Sequence, residues 1–124
     1  MQFRLEMVSV PVSDVDRAKA FYVDRLGFTT EQDVRVDDTH RFVELVPPGS
    51  PCTIALTAGY VDAQPGSLKG AQLNVADADD ARSYLASRGV EVTDVQSFPW
   101  GRFCFFRDPD GNEWSVHEVR DEAR

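Results

Sequence analysis

The amino-acid sequence predicts an α+β fold made of two tandem βαβββ modules, which form a curved sheet with a concave cup. Three observations predict it: an internal repeat, strand-like alternation of apolar residues around one helical segment in each copy, and a linker rich in small residues. A chain of 124 residues can bury one core, so we expect one domain. Module one spans about 1–58, the linker about 59–69 and module two about 70–124.

The internal repeat relates residues 10–28, VPVSDVDRAKAFYVDRLGF, to residues 73–92, LNVADADDARSYLASRGVEV. At a constant offset of 63 residues, apolar, acidic and basic side chains recur in the same order. The matching pairs are Val12 and Val75, Asp14 and Asp77, Asp16 and Asp79, Ala18 and Ala81, Phe21 and Tyr84, and Arg25 and Arg88. Agreement at so many positions indicates two copies of one structural unit.

Module one begins with a strand and a helix. Residues 8–12 alternate between valine and other residues, which is the period of a strand with one apolar face. Asp14 or Ser13 suits the N-cap of a helix over about 14–26, and Gly27 supplies its stop. Three strand-like runs follow: FTTEQDVRV at 28–36, RFVELV at 41–46 and CTIALT at 52–57.

Module two repeats this order. Leu73 and Val75 mark a strand, and the capping and apolar spacing predict a helix over about 77–88. Residues 108–112, DPDGN, are typical of a tight turn in which the Asp and Asn side chains bond the local backbone. The remaining strand-like runs are VEVTDVQSF at 90–98, RFCFFRD at 102–108 and EWSVHEV at 113–119.

Charge and composition argue against several classes of partner. The net charge of −8 opposes binding to nucleic acid or to an anionic membrane. No apolar run approaches the roughly 18 residues of a membrane span. The first residues carry no signal-peptide pattern, so we expect the protein in the cytoplasm. Cys52 and Cys104 form no CxxC motif, and free thiols fit that reducing compartment.

Three segments carry a family resemblance: VSDVDRAKAFYVDRLGF at 12–28, VADADDARSYLASRGV at 75–90 and FFRDPDGNEW at 105–114. They resemble the vicinal oxygen chelate superfamily, the group of glyoxalase I, bleomycin-resistance proteins and extradiol dioxygenases. The resemblance covers essentially the whole chain. It implies the fold described above and a homodimer, which is the common assembly of such paired modules. An activity does not follow from it, because one fold carries many chemistries.

In metal-dependent members of that superfamily, four cup-facing side chains, usually His or Glu, hold a divalent cation that acts as a Lewis acid. The resemblance assigns these positions to Met7, Ala55, Gly70 and Ser115. None of the four is a usual ligand for such a cation. We therefore expect no metal and no other cofactor.

A relocated metal site is the alternative. The alternation of side chains along the first strand puts Glu6 on the helix-covered face of the sheet, not in the cup. Glu113 and His117 share a face, but four strand residues separate them by roughly 13 Å. His40 and Glu44 lie in and after a polar connection, which favours solvated surface. No coordination site is therefore predicted from these residues.

The alternation of side chains along each strand also predicts which residues line the cup. In the last strand, Trp114 and Val116 form the apolar side, so the residues between and after them face the cup. Phe98 and Trp100 stand near a strand start and are expected to form a rim for stacking, with ordinary core packing as the alternative. The expected lining residues are Met7, Ser9, Thr53, Ala55, Gln72, Asn74, Ser115 and His117.

An apolar floor with neutral hydrogen-bonding groups is typical of a small-molecule site. We expect a glyoxalase/bleomycin-resistance-like protein that lacks the usual metal ligands and binds a small planar or cationic metabolite in the cup. The alternative is an enzyme: a lyase or dioxygenase with a relocated metal site, or a metal-free catalyst with His117 as general base. No Ser-His-Asp, Cys-His or paired-carboxylate constellation is evident in the sequence, which favours binding.

Overall fold

The first half of the chain folds into a four-stranded mixed sheet. A computed structural model of the protein describes residues 1–58 and 61–119. The strand order is β1-β4-β3-β2, with β1 parallel to β4 and the other pairs antiparallel. The strands are β1 (Met7–Pro11), β2 (Thr29–Arg35), β3 (Arg41–Val46) and β4 (Thr53–Thr57).

The second half forms a sheet of the same topology, in the order β5-β8-β7-β6. Here β5 is parallel to β8, as β1 is to β4. The strands are β5 (Ala71–Val75), β6 (Gln96–Phe98), β7 (Gly101–Arg107) and β8 (Glu113–Val119). Two equivalent βαβββ units in an α+β fold confirm the predicted fold class. The module boundaries and the linker stay a prediction, and Gly59 and Tyr60 of that linker lie outside the described residues.

One helix follows the first strand of each half. Helix α1 (Val15–Ala20) is capped by the Asp14 carboxylate, which accepts a hydrogen bond from the Arg17 backbone N–H, and continues as π-helix through Phe21–Arg25. Gly27, at φ 84°, ends it, because a residue with a Cβ rarely adopts that conformation. Helix α2 (Ala78–Ser87) is capped in the same way by Asp77. Both predicted helices are confirmed to within one or two residues.

The strand predicted over 90–98 is shorter than expected. Only β6 is regular, and Val92 makes a single isolated bridge to Phe106. The reason is local competition for hydrogen bonds. The Thr93 hydroxyl accepts from the Phe105 backbone N–H at 3.0 Å, in the place of a carbonyl from a neighbouring strand.

The two halves meet through their helices. One hydrophobic cluster contains residues of both sheets, among them Val10, Val43 and Leu56 of the first and Cys104, Phe106 and Val116 of the second. At the helix ends, the Arg88 guanidinium donates to the backbone carbonyls of Asp24 and Arg25, and that of Arg25 donates to the Gly89 carbonyl. No helix among the described residues is long and apolar enough to cross a membrane.

The face of each sheet that points away from this shared core is called its open face below. Alternation along the strands assigns its residues: in β8, Trp114 and Val116 are buried in the core, while Ser115 and His117 lie on the other side. Within residues 1–58 and 61–119, no hydrogen bond joins an open-face side chain of the first sheet to one of the second. The chain therefore presents two separate open faces.

Candidate functional site

Three polar side chains form a connected group on the open face of the second sheet. Strand register places Gln72 beside Ser115 and Asn74 beside His117. The Ser115 hydroxyl donates to Gln72 Oε1 at 3.0 Å, which turns the Gln72 amide nitrogen toward His117 Nδ1 at 3.2 Å. This arrangement leaves the imidazole hydrogen on Nε2, where it points to the Trp100 carbonyl oxygen at 3.3 Å.

Aromatic rings continue this surface and form what is called the aromatic strip: Phe98, Trp100, Phe103, Phe105 and His117. The imidazole of His117 stacks on Phe103, with centroids 4.3 Å apart and planes 3° from parallel. Phe98 and Trp100 stack on each other at 5.2 Å and 12°. Phe98, Phe105 and Trp100 are 37%, 39% and 56% exposed, which is unusual for rings of this size. The strip is a preformed stacking surface.

Gly101 allows His117 to take this position. A Cβ at Gly101 would lie 2.2 Å from His117 Nε2 and 2.7 Å from the Glu118 carbonyl oxygen. Any larger residue would therefore displace the imidazole from its stack on Phe103. Gly101 stands at the start of β7, directly after the turn that connects β6 to β7.

A groove of about 760 Å³ adjoins the strip at the other end of the strands. It shares Phe105 and Ser115 with the surface described above, and charged side chains line its outer wall. Among these, Glu113 accepts a hydrogen bond from the Lys69 ammonium, which lowers the pKa of the Glu113 carboxyl below its usual value. The further lining residues are Gly70, Glu91, Val92, Thr93, Phe106, Arg107, Asp108 and Trp114.

The open face of the first sheet carries the other predicted lining residues. Register pairs Met7 with Thr53 and Ser9 with Ala55. Met7, Ser9 and Thr53 are partly exposed, whereas Ala55 has no accessible surface. We expected Ala55 to line the cup. In this chain its neighbours cover it completely, so it cannot contact a ligand on the open face.

Glu44 also lies on this open face, which the sequence reasoning missed. We expected solvated surface for Glu44, but β3 pairs it with Ala55 in β4. The Thr53 hydroxyl donates to Glu44 Oε2 at 2.7 Å, and the Gln32 amide donates to Oε1 at 3.2 Å. The alternation in RFVELV could have shown this position, because Val43 and Leu45 are fully buried and Glu44 lies between them.

His40, considered with Glu44 as a surface residue, lies in the loop before β3. Its Nδ1 is 2.9 Å from Asp37 Oδ1, and its backbone N–H donates to the same carboxylate oxygen. Hydrogen bonds from the Thr39 backbone and from His40 lower the pKa of Asp37 to about 2. His40 therefore belongs to a local loop structure.

The DPDGN turn holds distant parts of the chain together, in addition to the local bonds that were expected. Asp108 Oδ1 accepts from the backbone N–H groups of Asp110 and Asn112, as predicted for a tight turn. Its Oδ2 accepts from the Tyr22 hydroxyl at 2.7 Å. The Asn112 amide donates to the Pro11 carbonyl at 2.9 Å. These side chains are buried, so they stabilise the fold and are not available to a ligand.

Comparison with known proteins agrees with this architecture. The family model of the Glyoxalase/Bleomycin resistance protein/Dioxygenase superfamily matches residues 4–116. The chain belongs to this superfamily. This match confirms the family resemblance that the sequence segments indicated.

Solved structures of three other proteins are similar to this chain over nearly their full length. TnmS3, an antibiotic binding protein from Streptomyces sp. CB03234, has a TM-score of 0.88 and 34% identity, with 96% of this chain and 98% of TnmS3 covered. A glyoxalase/bleomycin resistance protein from the same organism has a TM-score of 0.81 and 36% identity, with 93% and 100% covered. A superfamily member from Sphaerobacter thermophilus DSM 20745 has a TM-score of 0.84 and 35% identity, with 94% and 98% covered.

The resemblance in sequence assigned the divalent-cation positions of metal-dependent superfamily members to four residues with poor donors, and this assignment stays a prediction. Met7 offers a thioether, Ala55 a buried methyl group, Gly70 no side chain and Ser115 a hydroxyl that is bonded to Gln72. These groups do not fit a hard or borderline divalent cation. The described residues contain no group of three or more His, Cys, Asp or Glu that could hold a metal ion. That the protein binds no metal stays a prediction.

Proposed function

We propose that this superfamily member binds a small molecule with a planar aromatic part and does not transform it. The observation that carries the proposal is the exposed aromatic strip beside the Gln72–Ser115–His117 group. A flat ring system can stack on Trp100 and Phe98 while its polar edge meets Gln72 and Asn74, both of which are exposed. The similarity to TnmS3, an antibiotic binding protein, supports a small-molecule ligand of this kind.

The summed free energies of these contacts approach the binding free energy of a micromolar complex. Stacking on an aromatic side chain contributes roughly 1 to 3 kcal/mol in other systems. Each hydrogen bond between neutral groups adds about 0.5 to 1.5 kcal/mol. Two stacking contacts and several hydrogen bonds therefore approach the −8 kcal/mol or so that micromolar binding requires.

We further propose that the complete site forms between two copies of the chain. Because the halves of one chain meet through their helices, the open faces of the first and second sheets are left separate. Pairing the first-sheet face of one copy with the aromatic strip of the other would enclose a ligand on both sides. The free thiols of Cys52 and Cys104 support a cytoplasmic location for this dimer.

The contacts of His117 argue against the alternative in which it acts as a general base. Both ring nitrogens already have hydrogen-bond partners, Gln72 on Nδ1 and the Trp100 carbonyl on Nε2. Its ring is also stacked on Phe103. A general base needs a nitrogen lone pair aimed at the substrate, so this geometry favours binding.

Tryptophan fluorescence offers a direct test, because the chain has two tryptophans in opposite environments. Trp100 is 56% exposed on the strip and Trp114 is 4% exposed in the core. A panel of planar aromatic compounds should contain members that quench the emission of Trp100 in the wild type. In the Trp100→Phe variant, which keeps a stacking ring, binding measured by calorimetry should persist while most of the quenching disappears.

Two outcomes would contradict the proposal. One is that no compound binds at about 1 mM, a concentration that detects interactions of about −4 kcal/mol. The other is that a ligand binds with unchanged affinity after Trp100 and Phe98 are both replaced by alanine. Sedimentation of the unliganded protein tests the dimer separately, and a monomer at all concentrations would exclude the two-copy site.

A further inference from the structure

Several carboxylates on or beside the sheets are paired with a basic side chain, and Glu44 is not one of these. Glu113 is paired with Lys69, Asp33 with Lys19 and Arg41, and Glu118 with Arg102. Among the residues that the structure describes, no Lys, Arg or His nitrogen lies within 4.0 Å of a Glu44 oxygen.

The two groups that bind Glu44 are neutral. Thr53 Oγ1 and Gln32 Nε2 each donate to a different carboxylate oxygen. They hold the carboxylate in one orientation but leave its charge uncompensated. An ionised carboxylate has about four acceptor sites, and the residues that the structure describes use only two of them. The remaining sites belong to a partly exposed side chain on the open face.

We propose that Glu44 binds a positively charged nitrogen group, an amine, amidine or guanidinium, on the ligand. This inference rests on the proposed binding of a planar molecule, and it names the second chemical feature of that molecule. The aromatic strip holds the flat part, and Glu44 on the facing sheet of the other copy binds the cation. A charge-assisted hydrogen bond is about twice as strong as a neutral one, so Glu44 selects among planar ligands.

The surroundings of Glu44 favour an organic cation over a metal ion or a cation of the protein. A metal ion would need further carboxylate or imidazole donors, whereas Ala55 and Thr53 are the cross-strand neighbours here. The net charge of −8 also raises the local concentration of small cations. A lysine or arginine of a second copy is the competing partner, and the experiment separates it from the ligand.

The test uses two planar probes of similar size, the cation 9-aminoacridine and the neutral acridone. Their dissociation constants are measured by fluorescence titration with the full-length wild type and with Glu44→Gln. Glutamine keeps the size of the side chain and can still bond Thr53 and Gln32, so the fold is preserved. The matched control is Asp24→Asn, which removes one negative charge from the exposed surface of the helix layer.

Glu44→Gln should weaken binding of 9-aminoacridine by about tenfold and change that of acridone by less than about twofold. Asp24→Asn should leave both constants within about twofold of the wild type. Equal effects of Glu44→Gln on both probes, or none on either, would overturn the role of Glu44. So would a wild type that binds acridone but not 9-aminoacridine, although the proposed function would then stand.

Two further outcomes would also overturn the role of Glu44, each for a different reason. If the wild type binds neither probe at about 1 mM, the proposed function fails and the role of Glu44 falls with it. If Glu44→Gln converts a dimer to a monomer in sedimentation, Glu44 pairs with a cation of the second copy, which also overturns the inference.

Discussion

Aromatic and polar side chains lie together on both sides of the second sheet. One group is buried in the core, and the other lies on the open face. In the buried group, the Tyr22 hydroxyl donates to Asp108 at 2.7 Å and accepts from Trp114 Nε1 at 2.9 Å. The Asn112 amide donates to Asp108 Oδ2 at 2.8 Å and to the Pro11 carbonyl. Every polar atom named here has a partner within the chain, as buried groups require.

On the open face, an aromatic ring and polar groups also lie together, but their contacts are incomplete. Trp100 stacks on Phe98 on one side and remains 56% exposed. Gln72 and Asn74 are exposed on the same face. When a ligand covers a surface of this kind, the removal of exposed apolar area from water favours binding.

The comparison shows that burial separates the structural group from the proposed binding surface, whereas residue type does not. Consecutive residues of β8 belong to different groups, because Trp114 points into the core and Ser115 onto the open face. The most conspicuous turn in the sequence, DPDGN, supplies the buried group. The following predictions test this division, from the largest expected effect to the smallest.

Replacing Asn112 by alanine should destabilise the protein by roughly 3 to 4 kcal/mol. The change removes the amide that bonds the Pro11 carbonyl, the Leu68 N–H and the Asp108 carboxylate, all in a fully buried place. Urea denaturation measures the loss. Asn74→Ala on the open face is the control and should change stability by less than about 0.5 kcal/mol. Equal effects of the two changes would show that the division is wrong.

Replacing Tyr22 by phenylalanine should cost roughly 1 to 3 kcal/mol, because Trp114 Nε1 loses its acceptor and Asp108 loses a donor. Thermal or urea unfolding at neutral pH measures this. The Tyr84→Phe control removes a hydroxyl from a half-exposed ring that bonds the Leu26 carbonyl, and its cost should be smaller.

Tyr22 also predicts a dependence of stability on alkaline pH. Burial, and then the Asp108 carboxylate, raise the pKa of Tyr22 well above its ordinary value of 10.0. Because the folded state holds this proton more tightly than the unfolded state, the stabilisation is complete below pH 10.0 and is lost as the pH rises further. The loss should reach about 1.4 kcal/mol per pH unit and be absent in Tyr22→Phe. An equal alkaline loss in both proteins would refute this.

Replacing Trp100 by alanine should weaken a planar ligand by about tenfold, which corresponds to about 1.4 kcal/mol. The ring is more than half exposed, so the free energy of unfolding should change by less than about 0.5 kcal/mol. Calorimetric titration and urea denaturation of the same samples give both values. A variant that unfolds readily but binds normally would assign Trp100 to the core.

Much of the fold follows from local pattern. The RFVELV and EWSVHEV runs are strands at the predicted bounds, and Asp14 and Asp77 cap the predicted helices. In the last strand, the alternation correctly separated Trp114 and Val116 from Ser115 and His117. Such features depend on backbone geometry over a few residues, so they can be predicted without knowledge of the rest of the chain.

Contacts between distant parts of the chain could not be predicted in this way. Asp108 and Asn112 resembled ordinary turn residues because their partners Tyr22 and Pro11 lie 86 and 101 positions away. The strand over 90–98 was predicted too long because a single hydroxyl, that of Thr93, replaces a backbone acceptor. Contacts of this kind depend on which distant segments the topology brings together.

Local sequence pattern is enough to specify the repeat, the two capped helices and the alternation that gives each strand an inner and an outer side. The tertiary fold is what places Glu44 beside Ala55, with no cation from residues 1–58 or 61–119 next to it, and leaves Phe98 and Trp100 stacked at the surface. The reason is physical. Alternation is set by the geometry of each strand, whereas exposure and charge compensation depend on what the remainder of the folded chain places around a residue.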